Sequence, residues 1–139
     1  MDFDLKRYLG KWYEIAKVKN EFEPDLSNTV AQYTLNPNGT IQVINSGYLG
    51  DKFKQITGIA RVTDNNRVLE VSFFPGIYSR YKILAIGENY EYALVGGDTD
   101  RYLWILSRKP NLEESILEEL LRIAKEKGYK VEDLIKTRQ

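Results

Sequence analysis

Between Lys11 and Arg108 apolar and polar residues alternate with a period of two, and turn residues break the alternation at nearly regular intervals. Successive side chains of a strand point to opposite faces, so this pattern predicts half-buried strands. Eight are predicted, over 12–19, 29–36, 40–49, 52–63, 67–74, 78–87, 90–97 and 101–108, and they are rich in Val, Ile, Tyr, Phe and Thr. Asn36-Pro37-Asn38-Gly39 is the strongest hairpin signal. Asp64-Asn65-Asn66, Pro75-Gly76, Gly87-Glu88-Asn89 and Gly97 to Asp100 mark other turns. Such short connections join antiparallel neighbours, so the strands form an up-and-down meander.

After Arg108 the period changes to that of a helix, predicted over 111–127. Asn111 is placed to cap its start with Glu114 as the reciprocal partner, and Gly128 to end it. Leu112, Ile116, Leu120, Ile123 and Ala124 share one face, while Glu118 and Arg122 are spaced as a surface pair. A short last strand is predicted over 130–136. Eight meandering strands and one amphipathic helix leave two architectures, a sandwich or a closed barrel. The eighth strand favours the barrel, because both of its faces are apolar and both need cover. Leu103 and Ile105 then turn to the helix, and Tyr102, Trp104 and Leu106 point inward. The expected fold is all-β, an eight-stranded antiparallel barrel with the C-terminal helix packed outside, in one domain over 1–139.

Composition narrows the chemistry. The chain has ten Tyr, five Phe and two Trp, large apolar faces with few polar handles. Twenty basic residues balance twenty acidic ones, without the basic excess of a nucleic-acid binder. Cys and His are both absent, which removes thiolate nucleophiles, imidazole bases and the metal and haem sites built on them. No catalytic residue, metal or cofactor is expected. The N-terminus has no apolar signal segment, which leaves a cytoplasmic protein or a mature domain trimmed behind a new Met.

Gly10-Lys11-Trp12-Tyr13 resembles the Gly-x-Trp signature of lipocalins, and Asp100 to Arg108 resembles that family's late motif ending in Arg. Residues 43–48, 71–74 and 92–95 are similar to the bacterial lipocalin and apolipoprotein D branch. The resemblance implies a barrel closed at one end by Arg108 across Trp12, a cation–π contact of about 0.5–2 kcal/mol. Bacterial members are typically lipoproteins anchored through an N-terminal Cys, which this chain lacks, so membrane contact is expected only through lipid exchange or a missing leader.

Strict alternation in the registers the resemblance implies assigns the lumen to Ala16, Ala31, Tyr33, Val43, Asn45, Ile56, Gly58, Ala60, Leu69, Val71, Phe73, Tyr81, Ile83, Ala85, Ala93, Val95, Tyr102, Trp104 and Leu106. This lining is apolar and aromatic with a few polar atoms, as a small-molecule site should be. Phe22, Pro24 and Leu26 on one loop, and Phe74, Pro75 and Ile77 on another, are placed at the mouth. Glu14 faces inward near the closed end, where a carboxylate needs a hydrogen-bond partner. The resemblance implies carriage or storage of a fatty acid, lysophospholipid or similar hydrophobe. Three alternatives are weighed beside it: an engineered barrel for an aromatic dye or drug, an enzyme using Glu14 with Tyr hydroxyls, and a protein-interaction module using exposed Leu49 and Ile77. Monomer and homodimer both stay open.

Overall fold

The structure, a computed structural model, describes residues 3–18 and 26–139. A short helix, α1 (Leu5–Tyr8), precedes eight long strands: β1 (Gly10–Val18), β2 (Ser27–Leu35), β3 (Ile41–Leu49), β4 (Lys52–Val62), β5 (Val68–Phe74), β6 (Ile77–Ile86), β7 (Tyr92–Gly96) and β8 (Leu103–Ser107). Then come helix α2 (Glu114–Glu126), a 3-10 turn (Val131–Asp133) and a three-residue strand, β9 (Leu134–Lys136). Strands β2 to β8 pair antiparallel with their sequence neighbours, β8 pairs with β1, and β1 pairs with β2, which closes the barrel. Where β1 pairs with β2 the sheet has no free edge to offer another chain.

Closure is made in two parts. Over Gly10 to Tyr13, β1 pairs directly with β2. Beyond that point β1 leaves β2, and Ala16 to Val18 pair with β9 instead. The C-terminal residues fill the resulting seam. Asn28 N–H donates to the Arg138 carbonyl at 2.6 Å, and Gln139 Nε2 donates to the carbonyls of Glu14 (2.5 Å) and Thr29 (3.1 Å). Backbone groups that the splayed strands would leave unpaired are thereby satisfied.

Two apolar clusters lie on the two sides of the wall. The inner one holds Trp12, Tyr33, Ile41, Val43, Ala60, Leu69, Ile83, Ala93, Val95 and Leu106, with Phe3, Tyr8 and Tyr90. The outer one joins Leu94, Leu103 and Ile105 to Leu117, Leu120 and Ala124 of α2. Leu103 and Ile105 therefore do face the helix, as the alternation of the eighth strand predicts.

Two lumen assignments are corrected, for one physical reason. A bulge between Glu14 and Ala16 inserts an extra residue into β1, which turns Ala16 outward opposite Ile105 and into the helix-side cluster. A second bulge between Ile83 and Ala85 does the same to Ala85, and Ile86 takes the inward place opposite Ala93. Each extra residue reverses the inside–outside parity of the rest of its strand.

The helix boundary also differs. Its N-cap is Glu113, without a side-chain cap bond, and Asn111 instead lends its carbonyl to the Ser107 hydroxyl at 3.3 Å. Gly128 comes after the last turn with φ 89°, a left-handed conformation suited to glycine. Arg122 pairs with Glu119 at 2.5 Å and Glu126 at 2.6 Å, not with Glu118.

Candidate functional site

The barrel is plugged at one end. Gly10 opens β1 with φ 103°, a conformation L side chains rarely adopt, and Arg108 Nη1 lies 3.4 Å from where a Cβ would stand. Trp12, wholly buried, donates its indole N–H to the Tyr8 carbonyl at 2.7 Å. The Arg108 guanidinium lies 3.7 Å from the Trp12 ring centroid. It donates to the carbonyls of Lys11 (2.8 Å), Arg7 (2.8 Å), Tyr90 (3.1 Å) and Tyr8 (3.2 Å). One side chain so ties α1, β1 and the β6–β7 connection together beneath the indole. Trp12 and Arg108 thus form the stacked pair the motifs imply.

Above this plug the floor of the lumen consists of three tyrosines. The Tyr81 hydroxyl contacts those of both Tyr8 and Tyr33, the latter at 3.0 Å. The rings of Tyr8 and Tyr33 meet Tyr81 edge-on at 6.3 and 6.0 Å. Burial pushes the Tyr33 phenol up to about 12, and pushes Tyr8 and Tyr81 well above the usual tyrosine range. Tyr8 escaped sequence reasoning. It sits outside the alternating region, on a helix of four residues that is too short to show a period.

Higher in the barrel the inward side chains become apolar. Val43, Ile83, Val95 and Leu106 are buried, while Val71, Phe73 and Trp104 are partly buried against the same cluster. Asn45 and Ile56 pair on one inward register, and Ile56 keeps 43% of its surface exposed. Tyr102 precedes β8 and stacks on Trp104 at 6.2 Å. Of the nineteen positions assigned to the lumen, the structure brings all but Ala16 and Ala85 to the inner surface.

Two inward charges break the apolar lining. Glu14 pairs with Leu106 and accepts from the Thr137 hydroxyl at 2.6 Å, the kind of partner its inward position demands. Lys17 takes the inward place that the β1 bulge denies to Ala16. It stands opposite Trp104 and is only 5% exposed. A β1 without the bulge would have put Lys17 outside, which is why alternation alone missed it.

At the end opposite Trp12 the surface is apolar and open. Phe74 and Ile77 flank the β5–β6 turn, each 63% exposed, and Tyr48, Leu49 and Phe53 crown the β3–β4 hairpin. Leu26 packs against Gly47 at the same end, whereas Phe22 and Pro24 lie outside the described residues. A separate surface depression of about 440 Å³ is lined by Thr63, Asp64, Asn65, Val68, Glu70 and Arg80. It lies on the outer wall, where Glu70 pairs with Arg80, and receives none of the inward aromatic side chains. Among the described residues no cluster of His, Cys, Asp and Glu is arranged to hold a metal.

The lipocalin-like domain pattern matches residues 3–139, nearly the whole chain. This chain is a lipocalin. It is 40% identical to the outer membrane lipoprotein Blc of Vibrio cholerae, over 99% of its own length and 84% of that protein's. It is 36% identical to mouse apolipoprotein D over 99% of its length and 78% of the relative's. Lobster apocrustacyanin A1 superposes with a TM-score of 0.80 at 19% identity, covering 96% of this lipocalin and 78% of the crustacyanin chain, a likeness of fold.

Proposed function

We propose that this lipocalin carries or stores a small hydrophobic ligand in its barrel, held by Tyr33, Val71, Phe73, Tyr81, Trp104 and their inward neighbours. One observation carries the reading. The inner face is packed shut at Trp12, yet its upper half leaves apolar and aromatic side chains partly uncovered beside a rim of exposed Phe, Tyr and Ile. An exposed apolar surface of this kind marks a place where something apolar docks.

The driving force is removal of the ligand from water. A ligand losing about 300 Å² of apolar surface gains roughly 7–8 kcal/mol at about 25 cal/mol/Å². That gross figure corresponds to about micromolar affinity, from which lost ligand freedom subtracts and to which stacking on the lumen aromatics adds. A single-chain lipid such as a fatty acid or a lysophospholipid suits the interior of an eight-stranded barrel, a size that holds one small ligand. Carriage without bond chemistry fits a chain that has neither Cys nor His, whose one described inward carboxylate, Glu14, is held by Thr137. The whole of 3–139 acts as one unit in this reading, because the C-terminal residues complete the barrel seam.

Trp104 supplies the test. Titration with hexadecanoic acid and with lysophosphatidylcholine should change its emission saturably, and a Trp104→Phe variant should lose that change while Trp12 still emits. Native mass spectrometry of the purified protein should show bound lipid. A ligand-free mass together with a flat titration against both lipids defeats the reading.

A further inference from the structure

We propose that the floor of the lumen is a hydrogen-bond donor site, formed by the hydroxyls of Tyr8, Tyr33 and Tyr81, that takes an acceptor oxygen on the buried end of the ligand. The inference rests on the carriage reading and adds an orientation that narrows it: the ligand descends with a carbonyl, carboxyl or ether oxygen first, as a fatty acid or ketone can and a lysophospholipid, whose charged head lies beyond its ester, cannot.

Each phenol has one O–H to donate, so the three hydroxyls hold three donors. Their two mutual contacts, Tyr8 with Tyr81 and Tyr33 with Tyr81, consume two of them. Whichever way the protons are arranged, one O–H is left over. It finds no acceptor among the described residues. Glu14 acts on the Tyr33 phenol through space, as Arg108 does on Tyr8, but the hydrogen bond shown to the Glu14 carboxylate comes from Thr137.

Burial makes the leftover donor significant. Tyr8 is 1% exposed and Tyr33 5%. Around them stand Val43, Leu69, Ile83 and Leu106, none of which can accept. Buried polar groups nearly always find partners, and an orphan in such a place calls for a ligand atom or a water. Tyr81 is the least buried of the three and joins the floor to the partly uncovered upper lumen, so the site can be reached from the open end. Burial also keeps the three phenols protonated, so the donor persists across the physiological range.

The experiment uses two probes of one shape, 2-undecanone and 2-methylundec-1-ene, in which a methylene replaces the carbonyl oxygen. Each displaces a fluorescent naphthylamine from the full chain, and the infrared carbonyl band of the bound ketone is recorded. The ketone should show a band lowered relative to its value in hexane. In the triple variant Y8F/Y33F/Y81F the band should return to the hexane value, and the ketone-to-alkene affinity ratio should fall about tenfold, the weight of one ordinary hydrogen bond. A hexane-like band in the unaltered protein overturns the floor assignment, and this readout does not depend on the variant folding. An unchanged ratio in a folded variant overturns it as well. Failure of both probes to bind overturns the carriage reading itself, a separate outcome.

Discussion

At the closed end Phe3, Tyr8, Trp12 and Tyr90 are buried against one another, whereas at the open end Phe53, Phe74 and Ile77 are more than half exposed. The same residue types serve opposite purposes. At the plug each ring has a fixed partner: Trp12 has Arg108 at 3.7 Å and Tyr8 at 5.0 Å, and Phe3 has Tyr90 at 5.8 Å. At the mouth, among the described residues, Tyr48 meets only Phe53 at 5.4 Å and the Phe74 ring has no aromatic or cationic partner. Folding free energy is thus concentrated where no ligand passes, and the surface left uncovered lies where one can. The fold tolerates an unfilled mouth because its plug is complete.

The comparison predicts a steep gradient of mutational cost. Trp12→Ala should lose about 3–5 kcal/mol in urea unfolding, since it empties the largest fully buried side chain and strips Arg108 of its ring. Arg108→Met should cost about 2–3 kcal/mol by leaving several backbone carbonyls without their donor. A loss below 1 kcal/mol for Trp12→Ala would break the comparison at its stronger end.

The next effect is a pH dependence from the tyrosine floor. In the unfolded chain Tyr33 ionises near 10, while in the barrel it keeps its proton to about 12. A raised value means that the folded state binds the proton more tightly. Its contribution is therefore fully present below about pH 10 and is lost as pH rises from about 10 through about 12, at about 1.4 kcal/mol per unit, or roughly 2–3 kcal/mol in all. Tyr8 and Tyr81 shift in the same direction and steepen the fall. Urea midpoints measured from pH 8 to 11.5 should be flat and then drop, and Tyr33→Phe should soften the drop. A flat profile throughout would show that the floor is open to water.

The sheet and the plug were legible in the sequence, and the reasons are local. A strand of one parity is written in every residue it contains, and Gly10, Trp12 and Arg108 carry their roles in short motifs. What could not be read was where the parity changes. The bulges at Glu14–Ala16 and Ile83–Ala85 lie in runs of ordinary strand residues, with no Gly or Pro to mark them. They are decided by how β1 and β6 fit neighbours remote in sequence. Lys17 went unseen for that reason. Tyr8 was invisible because four residues of helix have no period, and the seam bonds of Gln139 because it lies past the predicted last strand, where no pattern reaches.

Gly58 tests the region between the ends. A Cβ there would stand 2.6 Å from the Ser72 carbonyl oxygen and 2.6 Å from the Phe73 ring. The ring can turn aside, but the backbone oxygen cannot move without shifting β5. Gly58→Ala should cost about 1–3 kcal/mol, the usual range for overpacking. It should also displace Phe73 and weaken ligand binding, measured by Trp104 emission. Loss of stability without loss of affinity would remove Phe73 from the site.

The smallest effect on stability belongs to the rim, and it is the most informative about function. Phe74→Ser and Ile77→Ser remove side chains that are 63% exposed, so each should change unfolding free energy by no more than about 0.5 kcal/mol. Both flank a turn whose Gly76 holds φ at 82°, so the hairpin is set by the backbone and survives the substitutions. If the rim hands the ligand from its source to the lumen, both substitutions should slow association in stopped-flow fluorescence while leaving the dissociation rate close to unchanged. A change confined to dissociation would place these side chains against the bound ligand instead, and the mouth would then be part of the pocket rather than its approach.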